Sequence, residues 1–173
     1  MIRVTKNKSD FIPLRHVFNG VIIAFNYEPF YEYVDAEKVE TDVATWTEAI
    51  ICPKPSLNEV KDFVLGVINE NTDKKILSGF KWKDMQVWLS SENQFNYKAA
   101  YDLAVMRESD VLPVVFKFGS SDNPIYYEFT TVDELEDFYL NAITYIRDTL
   151  ADGWKMKDSI NWNEYEEALM NIG

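Results

Sequence analysis

From residue 56 onward, the apolar positions of the chain switch between helical spacing and strict alternation. "SLNEVKDFVLGVIN" puts Leu57, Val60, Phe63, Val64, Val67 and Ile68 on one stripe and predicts a helix over 57–69. Ser56 and Glu59, preceded by Pro55, have the spacing of a capping box. "SGFKWKDMQVWLS" alternates instead. Phe80 and Trp82 share one face, Lys81 and Lys83 the other, and Met85, Val87 and Leu89 continue the apolar face past a Lys83–Asp84 turn. That is a β-hairpin pattern. A second helix follows, with Phe95, Ala99, Leu103 and Met106 as its expected inner stripe.

The sequence then repeats this order. "PVVFKF" and "PIYYEF" flank the turn "GSSDN" and predict a second hairpin, with Val114, Phe116 and Phe118 on one face and Ile125, Tyr127 and Phe129 matching them. Thr131 with Glu134 caps a third helix that carries Leu135, Phe138, Tyr139, Ala142, Ile146 and Leu150, and Gly153 is its expected end. Asn161 with Glu164 starts a short fourth helix. The order helix, hairpin, helix, hairpin, helix, helix defines an α+β class, with antiparallel strands covered by amphipathic helices.

Residues 1–55 follow another pattern. "GVIIAFNYEPFYEYV" and "VATWTEAIICP" are rich in β-branched and aromatic residues, broken by Pro29 and by the acidic stretch Asp35 to Glu40. Three or four strands and no long helix are expected. Both prolines of Pro53–Lys54–Pro55 restrict their neighbours to extended forms. The expected division is therefore a small β-rich module, 1–55, and an α+β domain, 56–173.

Composition narrows the function. With 173 residues the chain can bury a core without staples. One cysteine excludes an internal disulfide and fits a reducing compartment. No apolar run reaches the length of a membrane span, and the basic residues of "MIRVTKNKSDF" precede no apolar signal segment. A net charge of -12 without a basic stripe disfavours nucleic acid and anionic membrane as partners.

Catalytic constellations are sparse. His16 is the single histidine, so a nucleophile–base pair would need Cys52 or a serine beside it. Cys52 follows Ala49–Ile50–Ile51 and reads as a buried structural thiol. Histidine or cysteine metal clusters are excluded by number, and no calcium loop or glycine-rich phosphate loop occurs. Asp133, Glu134, Glu136 and Asp137 could imitate an acid/base pair, but they sit in the first turns of a helix, where the dipole favours carboxylates. Glu164, Glu166 and Glu167 read the same way. The polar block of "LSSENQFNYKAAYDLA" also begins a helix. Ser91 and Gln94 have capping-box spacing, and Asn96 and Tyr97 are placed to hydrogen-bond the preceding hairpin. No enzyme activity, cofactor, metal or small-molecule substrate is expected.

"GFKWKDMQVWLSSENQFNYKAAYDLA", "LPVVFKFG", "YYEFTTVDELEDFY" and "LADGWKMKDSI" together resemble domain of unknown function 4376, a C-terminal domain in small proteins of tailed phages and prophages. The resemblance covers about residues 56–160. It rests on the glycine-aromatic start, the "WLS-x-E-x-Q-x-N" stretch, the "LP-x-x-FK" strand and the "GW-x-x-K" segment. It implies a bacteriophage tail or virion context and supplies no catalytic residue.

The aromatic residues suggest how such a protein would act. "FNYEPFYEYV" gathers Phe25, Tyr27, Phe30, Tyr31 and Tyr33, more than a module of that size easily buries. Trp88 and Tyr126 alternate away from the core faces of their hairpins. These seven residues are the candidate partner contacts. The expected function is a non-enzymatic virion or tail-associated structural or adaptor protein, located in the virion or in host cytoplasm during assembly. Its expected partners are other virion or tail-fibre proteins or a second copy of itself. A tail-fibre assembly chaperone is the alternative, and an acidic host-directed inhibitor or DNA mimic a more distant one.

Overall fold

The computed structural model describes residues 1–17, 20–51, 55–107 and 110–172. It is an α+β fold of four helices and antiparallel strands. The chain forms two compact units, Met1–Ile68 with Met156–Gly173, and Asn69–Lys155.

The first unit is built on a four-stranded antiparallel sheet of order β1–β4–β3–β2. The strands are β1 (Ile2–Asn7), β2 (Leu14–Val17), β3 (Gly20–Val34) and β4 (Glu37–Ile51). Alternation sorts the sheet's residues onto two faces. Val21, Ile23 and Phe25 pack with Val60, Val64, Val67 and Ile68 of α1 (Leu57–Leu77), and with Tyr165 of α4 (Trp162–Asn171). Phe25 meets Phe63 edge-to-face at 6.0 Å. On the other face, Ala24, Ala44 and Trp46 pack with Val4 and Phe11. Glu48 is buried, and its carboxylate accepts hydrogen bonds from Arg15 Nη2 at 2.7 Å and Trp46 Nε1 at 3.1 Å. A buried charge needs such donors to offset lost hydration.

The expected division at residue 55 is not where the compact units separate. The change falls inside α1, between Ile68 and Asn69, and again inside α3 (Val132–Asp158), between Lys155 and Met156. The first turns of α1 carry the apolar stripe that covers the sheet, so burial ties residues 57–68 to the strands. Prolines stiffen a chain, but they do not decide which surfaces it buries. Pro55 is itself buried, while Cys52, Pro53 and Lys54 lie outside the described residues. Helix α1 also outruns its expected end at 69. Glu70 and Lys74 pair at 2.6 Å across one turn, and Ile76 is buried in the second unit's core.

Two expected breaks in the N-terminal region are absent. Strand β3 runs through Pro29, flanked by register shifts at Phe25/Glu28 and Pro29/Tyr31. The acidic stretch is mostly strand. Only Asp35 and Ala36 form the turn, both in the left-handed region, with φ of 51° and 69°. That conformation matches the right-handed twist of paired strands.

The second unit holds two two-stranded hairpins, β5 (Phe80–Trp82) with β6 (Met85–Val87), and β7 (Val114–Gly119) with β8 (Pro124–Phe129). They pack with α2 (Ser91–Arg107) and α3 around Trp82, Tyr97, Phe118, Phe129, Leu135 and Phe138. Phe118 and Phe138 lie 5.2 Å apart, and Trp82 stacks on Phe129 at 5.5 Å. The Lys83–Asp84 turn has the expected two-residue form, both residues at positive φ.

Gly153 does not end α3; it is buried within it. A Cβ there would come 2.6 Å from Thr72 Oγ1 of α1, so glycine permits a close approach of the two helices. The stripe expected on α2 is also displaced. Phe95, Leu103 and Met106 are exposed, whereas Tyr97 and Ala104 are buried. The Tyr97 ring lies 4.9 Å from Phe138 and 4.7 Å from Phe116, and that contact sets the helix's rotation.

Two backbone predictions follow from these turns. Gly79 ends α1 with φ of 74°, and a Cβ there would lie 1.7 Å from the Val87 carbonyl oxygen. Gly79→Ala should therefore lower stability by more than about 1 kcal/mol in denaturant unfolding. Ala36→Gly relieves about 1 kcal/mol of left-handed strain. Amide exchange over residues 31–40 should slow in that variant, with the rest of the chain unchanged.

Candidate functional site

Beyond residue 29, β3 and β4 continue without a further strand partner among the described residues. β1 pairs with β4 only from Val43 to Glu48, and β2 pairs with β3 only from Gly20 to Ile23. The tip is held by the pairs Tyr31↔Glu40, Glu32↔Val39, Tyr33↔Lys38 and Val34↔Glu37. A ribbon of two strands has no layer to bury against, and every residue from Phe30 to Glu40 is exposed.

Cross-strand partners share a face, so the arm presents two different surfaces. One carries Tyr31, Tyr33, Lys38 and Glu40, and the Lys38 ammonium sits 4.1 Å over the Tyr31 ring. The other carries Glu32, Val34, Glu37 and Val39. Ion pairs brace the arm toward its root. Lys8 pairs with Glu40, and Arg3 with Glu28. Hydrogen bonding to Glu40 is the largest influence on Lys8 and raises its pKa. Thr41 Oγ1 donates to the Phe30 carbonyl at 3.1 Å across the register shift.

The seven expected contact residues divide into four groups. Phe30, Tyr31 and Tyr33 lie on the arm, with Tyr33 75% exposed. Phe25 is 1% exposed and belongs to the core, because its position in β3 faces α1. Tyr27 lies between these cases, partly exposed and packed edge-on against Phe11 at 5.0 Å. Trp88 and Tyr126 are exposed in the second unit, and Trp88 Nε1 donates to the Gly119 carbonyl at 2.6 Å.

A cleft of about 440 Å³ opens beside the arm's root, within the first unit. Lys8, Phe11, Phe25, Asn26, Tyr27 and Glu28 form one wall, and residues of the Met156–Tyr165 segment form the other. Asn26 lines it with φ of 56°, at the first register shift. Most of its polar groups already have partners. Tyr165 OH donates to the Ala24 carbonyl at 2.6 Å, Asn161 Nδ2 to Glu164 Oε1 at 2.8 Å, and Ser159 Oγ to the Met156 carbonyl at 2.8 Å. Burial raises the Tyr165 hydroxyl pKa. His16 is exposed on β2 opposite Val21, and Cys52 lies outside the described residues. Among the described residues, no three His, Cys, Asp or Glu side chains are grouped to hold a metal ion.

The polar block before α2 has structural partners. Ser90, not Ser91, caps the helix. Its Oγ accepts from the Asn93 N–H at 3.2 Å, and its carbonyl accepts from the Gln94 N–H at 2.9 Å. Asn93 Nδ2 and Tyr97 OH both donate to the Trp88 carbonyl, and Gln94 Nε2 donates to that of Leu89. Burial pushes the Tyr97 hydroxyl up to about 12. Ser56 and Glu59 form the expected reciprocal box, at 2.7 Å and 3.3 Å. The carboxylates of α3 are drawn to separate donors. Glu134 binds Lys83 and Tyr127, Glu136 accepts from Tyr101, and Asp137 from Trp82.

No family model, no curated protein and no solved structure matches the chain.

The cap assignment makes a sharp prediction: Ser90→Ala should cost about 1 kcal/mol, with Ser91→Ala near neutral, in thermal melts. The Lys83–Glu134 contact predicts a pH effect. Hydrogen bonding to Lys83 lowers the Glu134 pKa, and hydrogen bonding to Glu134 is the largest influence raising Lys83 to about 12. A lowered carboxylate stabilises above its unfolded pKa, and that contribution disappears as pH falls through its folded value. Lys83→Met should therefore flatten the loss of stability below the ordinary glutamate value of 4.5, read from unfolding midpoints across that range.

Proposed function

We propose that the chain is a non-enzymatic adaptor that attaches to a partner protein through the β3–β4 arm, as a virion or tail-associated component of a phage. The observation carrying the docking role is the arm itself. It keeps Phe30, Tyr31 and Tyr33 in water on an open two-stranded ribbon. Tyrosine and phenylalanine recur at interface centres, where they bring large contact area with few rotatable bonds. The phage context is supported by the motifs of residues 56–160. The acidic net charge of -12 agrees with a protein partner rather than nucleic acid.

The core leaves the arm free to serve this role. The unit's larger apolar cluster packs between the sheet and helices α1 and α4, a smaller one lies on the other sheet face, and the ribbon's tip contributes to neither. Changes at the tip should therefore separate binding from folding. Tyr31→Ala with Tyr33→Ala should weaken partner binding by about 2 kcal/mol, roughly thirtyfold, while far-ultraviolet dichroism stays unchanged. Undiminished binding by this double variant refutes the docking role. Mass spectrometry of purified particles tests the rest: a stoichiometric signal supports the virion role, and its absence favours a transient assembly chaperone.

A further inference from the structure

We propose that the segment seated on the arm is a basic, extended stretch of a different protein, which adds as a strand to the open edge of β4. This deepens the adaptor reading and rests on it.

Three observations converge. The first is the edge. Among the described residues, β4 has no paired strand on its outer side from Glu37 to Asp42, because β1 pairs only with Val43 to Glu48, and the side chain of Lys8 reaches Glu40 there. Unpaired strand edges accept an added strand through backbone hydrogen bonds. The opposite edge suits this less well, since Pro29 lies within β3 and has no N–H to offer. The second is charge. Residues 28–42 hold six carboxylates (Glu28, Glu32, Asp35, Glu37, Glu40, Asp42) and one lysine, a surplus of five negative charges. Lys8 and Arg3 neutralise Glu40 and Glu28. Among the described residues, Glu32, Asp35 and Glu37 have no salt-bridge partner, and Lys38 is engaged over Tyr31.

The third is the arrangement of one face. Glu32 stands opposite Val39, and Val34 opposite Glu37, so acid and apolar side chains alternate like a checkerboard. Lysine and arginine match such a surface, with an aliphatic stem that covers valine and a cationic head that reaches a carboxylate. Strand periodicity then asks for basic residues at every second position of the incoming segment. A second copy of this chain is disfavoured, because its arm would bring the same carboxylates against these.

The test uses the full chain and a fluorescent peptide alternating lysine and threonine, with a glutamate–threonine peptide as comparator, read by anisotropy. The lysine peptide should bind and the glutamate peptide should not. Glu32→Lys with Glu37→Lys should weaken lysine-peptide binding about tenfold. Asp122→Lys with Glu128→Lys changes net charge equally in the other unit and should leave binding within about twofold. Amide shifts on binding should centre on residues 37–42. No binding of the lysine peptide, equal losses in the two double variants, or shifts confined to other residues would overturn the proposal. So would a dimer in sedimentation that Glu32→Lys with Glu37→Lys disrupts, which makes a second copy the occupant. Dichroism confirms that each variant is folded. A natural partner that needs Tyr31 and Tyr33 but ignores the Glu32/Glu37 reversal leaves the adaptor reading standing and this one refuted; a partner indifferent to both sets of changes refutes both.

Discussion

The first unit depends on the pairing of β3 with β4. Among the described residues, these fifteen-residue strands are the only ones with two neighbours in the sheet, since β1 pairs with β4 alone and β2 with β3 alone. The same ladder does two things along its length. Near Val21 to Phe25 and Ala44 to Ile51 it carries side chains into both cores of the unit. Past the register shifts it leaves its neighbours and becomes a bare ribbon. Each shift marks a change of environment. Asn26, at the first, takes a left-handed backbone where the strand leaves the covered region. Backbone pairing that resumes past each shift lets a well-buried root hold an arm that buries nothing itself.

The second unit shows what the polar residues of this chain are doing. Its core is a cluster of rings, and the two buried aromatics that carry a polar atom both find a partner. Trp82 donates to Asp137, and Tyr97 to the Trp88 carbonyl. No buried side-chain polar atom among the described residues lacks a hydrogen bond. The block from Ser90 to Tyr97 fits that pattern. Its Asn93, Gln94 and Tyr97 side chains donate to the Trp88 and Leu89 carbonyls as the chain turns into α2, whereas Asn96, expected to bond the hairpin, is exposed. A sequence dense in amides and carboxylates can resemble a catalytic site when several of those groups are taken up by the backbone beside them.

The proposed adaptor role would separate recognition from stability. The tip's aromatic and acidic residues make no contribution to either core of the first unit, so they are free to suit a partner. The cleft beside the root is different. Its walls include the core residues Phe25 and Tyr165, so change there disturbs the packing between sheet and α4.

Element type, order and most turns were legible in the sequence, because they depend on neighbours a few residues apart. The two hairpins, the Lys83–Asp84 turn and the Ser56/Glu59 box all follow from local spacing. Local spacing was less secure where two registers compete. Ser90 and Ser91 are chemically equal caps, and the choice falls to Ser90 where α2 meets the hairpin. On α2, the stripe of Phe95, Leu103 and Met106 and the stripe of Tyr97 and Ala104 both have helical period, and only the fit of Tyr97 against Phe116 and Phe138 chose between them. The arm was half legible. Its aromatic residues stood out by composition, but Phe25 belongs to the core and Tyr31 to solvent for a reason that periodicity does not contain. The sequence by itself determined which residues form strands and helices, since steric preference and side-chain alternation act locally. Tertiary structure alone decided where β1 and β2 stop pairing, and hence where the ribbon becomes an arm, because strand pairing joins residues far apart in the chain.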